Sequence, residues 1–234
     1  MRISSRLLYG TLVACTLEGC GGIPPTNIEV NDNSVFVPNL RAGWNLTGPK
    51  ETPSEPRSGH GIEFGALTAS GSGSQSIGTG QLPVYLGDKT FSSPQTLQHD
   101  FRFTYYDVFY RWRRFFGGGP VGLEVLVGAA YTTVGFKVSS PTQQAAETFS
   151  SGGPSTGVGV IWRMRPGTSL QARYAFTISN YSVERVEGFL VEALGQNASV
   201  RAGYAWWKVD AVPPAGSEIL INFSGPSLGL ELQF

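Results

Sequence analysis

From about residue 39 onward, apolar and polar positions alternate with a period of two. The segment from Arg102 to Arg113 puts Thr104, Tyr106, Val108, Tyr110 and Trp112 on one face. Phe103, Tyr105, Asp107, Phe109, Arg111 and Arg113 fall on the other, because successive side chains of an extended chain point to opposite sides. Val121, Leu123, Val125, Val127, Ala129 and Tyr131 likewise oppose Gly122, Glu124, Leu126, Gly128, Ala130 and Thr132. Leu40, Ala42, Trp44 and Leu46 oppose Arg41, Gly43 and Asn45, and Ile62, Phe64 and Ala66 oppose Glu63 and Gly65. The same sense recurs at Val158–Arg163, Leu170–Ile178 and Val200–Trp207. Eight strands are predicted, near 39–48, 58–70, 99–115, 121–138, 155–164, 168–180, 198–210 and 218–234.

Two architectures carry this pattern, and they place opposite faces inside. A soluble barrel or sandwich buries the aliphatic face, whereas a membrane barrel turns it to lipid and encloses the other. The second face is poor in Lys and rich in Gly, as a crowded lumen requires. Its charges, Arg41, Glu63, Asp107, Arg111, Arg113, Glu124, Arg163, Arg173, Arg201 and Glu231, mix signs and can pair across a narrow interior. Trp44, Tyr106, Trp112, Tyr131, Trp162, Tyr204 and Trp206 lie toward strand ends on the aliphatic face, where amphipathic rings favour a lipid–water boundary. The expectation is therefore an all-β fold, an antiparallel up-and-down transmembrane β-barrel of about eight strands over residues 39–234. Composition supports it: only 15% of the 234 residues are charged, 31 are Gly, and 17 basic residues balance 17 acidic ones. That balance leaves no basic excess for nucleic acid.

The N-terminus reads as an export signal. Arg2 and Arg6 precede the apolar run Leu7–Leu17, which is too short to span a bilayer as a helix. The run ends in Leu17-Glu18-Gly19-Cys20, which resembles the box of bacterial lipoproteins. That resemblance implies acylation at Cys20 after removal of residues 1–19, although Glu18 departs from the pattern. Leu12-Val13-Ala14-Cys15 fits the box better but leaves a short apolar run, so Cys15 is the alternative. Residues 20–38, rich in Pro and Asn, read as a tether followed by turns. The cluster Asn31-Asp32-Asn33 lacks the spaced acidic ligands of a calcium loop.

The last strand ends Leu228-Gly229-Leu230-Glu231-Leu232-Gln233-Phe234. Leu228, Leu230, Leu232 and the terminal Phe234 resemble the C-terminal signature of bacterial outer-membrane β-barrel proteins. The resemblance implies recognition by the barrel-assembly machinery and residence among outer-membrane lipids of a Gram-negative cell. By size and strand number the nearest group is the small barrels of the OmpA-transmembrane or OmpX type. A barrel this narrow is filled by its own side chains, which disfavours a general porin.

One feature strains against eight strands. With both ends in the periplasm, the long connections at 71–98, 139–153 and 181–197 fall on the periplasmic side, the reverse of the usual asymmetry. Either a further strand hides in 81–91 or 182–194, or the arrangement is atypical. Val183, Val186, Leu190 and Leu194 have helical spacing, so a short amphipathic rim helix near 183–194 competes with a strand there. The run Ser70–Ser76 reads as a flexible loop.

Catalytic material is sparse. His60 and His99 are the only histidines, and no metal or nucleotide motif occurs. Ser58, His60 and Glu63 invite comparison with outer-membrane lipid A deacylases, but parity puts Glu63 on the other face from Ser58 and His60. His99 and Asp107 share a face yet stand about 26 Å apart along a strand. The expected function is structural or surface-interacting, without cofactor, metal or catalysis, with an extracellular or periplasmic protein as a possible kind of partner. The alternatives are a periplasmic lipid-anchored soluble barrel that binds a hydrophobic ligand, and a lipid-modifying hydrolase.

Overall fold

The computed structural model describes residues 27–47, 56–211 and 217–234; Cys15, Cys20 and the expected export signal lie outside them. The strands are β1 (Ile28–Asp32), β2 (Val37–Thr47), β3 (Gly59–Ile77), β4 (Val84–Leu86), β5 (Lys89–Phe91), β6 (Gln95–Phe115), β7 (Val121–Ser139), β8 (Gln144–Arg165), β9 (Thr168–Ile178), β10 (Tyr181–Ala193), β11 (Ala198–Ala211) and β12 (Ile219–Gln233). Nine of them, in the order β12, β11, β10, β9, β8, β7, β6, β3, β2, form a hydrogen-bonded ring closed by β2 on β12. Every pairing in the ring is antiparallel except that closure, which is parallel (Ser227 opposite Val37, Gln233 opposite Gly43).

β1 continues the line of β2 along β12, also parallel, after a break in which Asp32 Oδ1 accepts from the Ser34 amide at 3.0 Å. Above that break the sheet ladder does not join β1 to β3. The seam is stitched by side chains instead: Gln75 Oε1 accepts from Glu29 N at 3.3 Å, and Asp32 Oδ2 accepts from Ser72 N at 3.2 Å. The ring is therefore near-closed and is not a regular barrel.

An odd strand number with a parallel closure sends the chain in at one rim and out at the other. Ile28 pairs with Ile219 at the start of β12, whereas Phe234 follows its end. The expected eight strands with both ends on one side is thus corrected to nine with ends on opposite rims. The ninth is β10. The helix weighed for 183–194 is a strand, paired from Ser182 to Glu192 with β9 and from Tyr181 to Ala193 with β11. The supposed connection at 139–153 is largely β8, 22 residues long. The supposed loop Ser70–Ser76 is the end of β3, matched residue for residue with β6. Ile28–Asp32, within the expected tether, is paired as well. What remains at the Phe234 rim between β6 and β7, β8 and β9, and β10 and β11 are short turns.

Side-chain parity runs unbroken along the long strands, but composition inverts half-way. On β6 the inward positions read Leu97, His99, Phe101, Phe103, Tyr105 and then Asp107, Phe109, Arg111, Arg113. The outward positions read Gln98, Asp100, Arg102, Thr104 and then Tyr106, Val108, Tyr110, Trp112. β7 repeats this, with Val121, Leu123, Val125, Val127 and Tyr131 exposed before Thr133 and Lys137. The half toward Ile28 is polar outside and apolar inside, with Phe101, Phe103, Tyr105, Trp207 and Phe223 in mutual ring contact. The β4–β5 hairpin closes this end, burying Val84, Leu86 and Phe91. The half toward Phe234 is apolar outside and charged inside.

Candidate functional site

The charged half of the lumen is built by β2, β3, β6, β7, β9, β10, β11 and β12, each contributing inward residues. Six arginines (Arg41, Arg111, Arg113, Arg173, Arg185, Arg201) and five carboxylates (Glu63, Asp107, Glu124, Glu187, Glu231) are all buried, none more than 6% exposed. Burial of so many charges is tolerable only if they pair. Glu63 is the hub. It accepts from Arg173 at 2.5 and 2.9 Å, from Arg111 at 3.4 Å, and from Arg41. Arg41 reaches on to Glu187 at 2.8 Å. Arg173 also binds Glu124, Nε to Oε1 at 2.7 Å, and Arg113 Nε donates to Glu124 at 2.5 Å.

One connected chain of ion pairs, Glu187–Arg41–Glu63–Arg173–Glu124–Arg113, therefore runs through six strands. Three of its links join strands that are not neighbours, β9 to β3, β10 to β2 and β9 to β7. The interior at this level is bridged by side chains. Two further pairs flank it: Arg185 with Asp107 at 2.7 Å, and Arg201 with Glu231 at 3.5 Å. Arg185 sits where the two halves of the core meet, 5.1 Å from the Tyr105 ring and 5.5 Å from that of Trp207.

Of the ten charges expected in the lumen, nine are there. Arg163 is the exception: it stands at the Phe234 rim, donates to the Gly118 carbonyl at 3.4 Å and to that of Gly119, and stacks 4.2 Å over Phe115. A register shift between Arg163 and Arg165 takes the chain into the turn there. Arg185 and Glu187 were missed because β10 is mixed on both faces: inward it reads Tyr181, Val183, Arg185, Glu187, Phe189, Val191. The available signal was the alternation Arg185, Glu187, which matches the charged face of the other strands.

The terminal residues expected as an assembly signal face outward. Leu228, Leu230 and Phe234 are exposed, and Phe234 stacks on Trp44 with centroids 5.0 Å apart. Trp44, Tyr106, Tyr131, Trp162 and Tyr204 are exposed on the same surface. Ser58, His60 and Glu63 are not brought together: Ser58 Oγ accepts from the Phe115 amide at 2.8 Å, and His60 Nδ1 lies 2.5 Å from the Tyr110 hydroxyl. His99 is buried in the apolar half, stacked on Phe136, and Asp107 is held by Arg185. Burial pushes the His99 imidazole down to about 4, against the opposing field of Asp100.

No family model, curated protein or solved structure matches the chain.

Proposed function

We propose that the chain is an integral outer-membrane β-barrel protein with a structural or surface-interaction role, its lumen closed and no catalysis assigned to it. The half toward Phe234 spans the bilayer, and the half toward Ile28 stands clear of it. The observation that carries this reading is the inversion of composition at constant parity. A soluble ring has no reason to expose Val121, Leu123, Val125 and Val127 while burying Glu124. The height agrees too. From Val121 to Tyr131 the exposed apolar run of β7 covers ten residue steps. At about 3.4 Å each and a tilt near 40–45°, the run is about 25 Å tall, the apolar band of such barrels.

Orientation follows from the rims. The short turns and Phe234 go to the periplasm, as in outer-membrane barrels generally, and the polar half with the β4–β5 hairpin projects outward. The conduction role is disfavoured by the ion pairs that cross the lumen. Alkaline carbonate and urea washes test the reading directly: the protein should stay in the membrane fraction and migrate faster on gels unheated than boiled. Release by the washes, together with water solubility of a Cys20→Ala form, would establish the lipid-anchored soluble alternative instead.

A further inference from the structure

The rim turns hold a feature that the closed lumen does not use. A cleft of about 720 Å³ opens at the Phe234 rim, bounded by Arg57, Ser58, Phe115, Gly119, Arg163 and Arg165. The described partners of Arg163 are two carbonyls and the Phe115 ring, not a carboxylate. Arg165 bonds Thr168 Oγ1 at 2.8 Å and meets Glu192 only at 3.4 Å, with its side chain largely exposed. Outside the lumen, Glu192 is the one carboxylate side chain at this rim among the described residues, against Arg114, Arg163 and Arg165. The opposite half carries the reverse balance, with Glu29, Asp32, Asp88, Asp100, Glu147, Glu184, Asp210 and Glu218 against Lys89, Arg102, Lys137 and Lys208.

We propose that this cleft binds the phosphate of an anionic phospholipid in the leaflet that surrounds the Phe234 rim. The inference rests on the membrane reading above, and depth is what selects the occupant. Trp162 and Phe116, exposed beside the cleft, mark the level at which interfacial rings sit, and that is the level of lipid phosphates. Arginine offers the forked donor that phosphate accepts, and Arg163 is already held in place by its ring and carbonyl contacts.

The test uses the full mature chain purified in dodecylmaltoside and exchanged against phosphatidylglycerol or phosphatidylethanolamine of equal acyl length, with retained lipid counted by native mass spectrometry. Wild type should retain phosphatidylglycerol about tenfold better, because both lipids offer the same phosphate and the ammonium of phosphatidylethanolamine is repelled by the two arginines. Arg163→Gln with Arg165→Gln should erase the preference. Arg163→Lys with Arg165→Lys should keep part of it, which a misfolded rim would not. Arg114→Gln, outside the cleft, should change nothing. Equal retention of both lipids by a wild-type protein that resists carbonate extraction would overturn this proposal and leave the membrane reading intact. Displacement of phosphatidylglycerol by millimolar inorganic phosphate would also overturn it, by making the cleft a site for the free anion.

Discussion

Glu63→Gln removes one negative charge from the hub of the lumen and changes almost nothing in volume. The Glu63 carboxylate accepts from three arginines, Arg41, Arg111 and Arg173, and all four side chains are buried. With glutamine, six buried arginines face four carboxylates, and one side of the amide turns donors toward donors. Breaking a buried ion pair by deleting one partner costs about 3–5 kcal/mol, mostly because the surviving charge stays buried and uncompensated. Here Arg41 and Arg173 keep second carboxylates, Glu187 and Glu124, so the loss should stay within that range rather than triple it. At about 2–4 °C per kcal/mol for a chain of this size, the folded band should disappear roughly 6–20 °C lower.

The assay is the temperature at which the heat-modifiable band converts to the unfolded mobility in a fixed detergent, with urea midpoints as a second reading. Adding Arg111→Met to Glu63→Gln should recover part of the loss, because one surplus cation then leaves the lumen. A Glu63→Gln protein that melts within 1–2 °C of wild type, by an estimate of about 0.5 kcal/mol, would refute the reasoning: the lumen charges would then be compensated by something other than one another.

Gly203, opposite Phe189 on the inner face of β11, and Gly188, opposite Tyr204 on the outer face of β10, should differ sharply. A Cβ on Gly203 would lie 1.9 Å from the Gly188 carbonyl oxygen, whereas one on Gly188 would meet nothing within 4 Å. Gly203→Ala should therefore lower the yield of folded, heat-modifiable protein, and Gly188→Ala should leave it unchanged. His99, 1% exposed with both ring nitrogens unpartnered, is neutral in the fold and should make stability acid-sensitive. Its imidazole titrates at about 4 in the fold and near 6.5 unfolded, so the stability it permits is complete above pH 6.5 and falls as pH drops toward 4, by at most about 3 kcal/mol. His99→Phe should flatten urea midpoints over that window; an unchanged slope would show that other groups set it. A protease site inserted at Ser179-Asn180, in the turn at the Ile28 rim, should be cut on intact cells. One inserted at Pro166-Gly167, at the Phe234 rim, should be cut only after the outer membrane is permeabilised, and the reverse pattern would invert the assigned orientation.

The parts of the fold legible in the sequence are those where one face is uniformly apolar over a whole strand. Val121–Tyr131 and Leu228–Phe234 expose a largely apolar face, so their alternation gives both the strand and the direction each residue faces. β10 and the first half of β8 were not legible, for a common physical reason. Their outer positions, such as Ser182 and Glu184 on β10 or Thr148 and Ser150 on β8, lie in the half toward Ile28 and are polar. Inner positions there are small or mixed, and period-two hydropathy vanishes although the backbone is as regular as elsewhere. The Ser-Gly end of β3 is the extreme case. Its glycines leave room for neighbours, and a Cβ on Gly71 would come within 2.6 Å of both Asp32 Oδ2 and the Phe101 ring. The closure of the ring was beyond reach for another reason: Val37–Gly43 pairs with a strand almost two hundred residues away, and nothing local specifies a parallel partner. Nine of the ten lumen charges follow from parity alone, and Arg163 does not, because it stands at the rim end of β8, past the last pair with β7, where an inward direction no longer means an enclosed one.

On the membrane reading proposed above, constant parity with inverted composition also explains how one strand can specify its register in two solvents. Above the belt, a slip of β6 by one residue would turn Phe101, Phe103 and Tyr105 to water and Asp100 and Arg102 into the aromatic core. An apolar inner face suffices to forbid that. Within the belt the same device fails, because lipid accepts Phe109 as readily as the core does. There the charges supply the discrimination: a slip would aim Asp107, Arg111 and Arg113 at hydrocarbon and break their pairs with Arg185, Glu63 and Glu124. Each arginine moved to the middle of a bilayer costs about 2–4 kcal/mol, less near its edge, so even one strand out of register would lose several kcal/mol. On this reading the ion-pair chain is less a source of stability, since apolar residues of equal volume would fill the lumen as well, than the means by which a strand with lipid on one side knows which side that is.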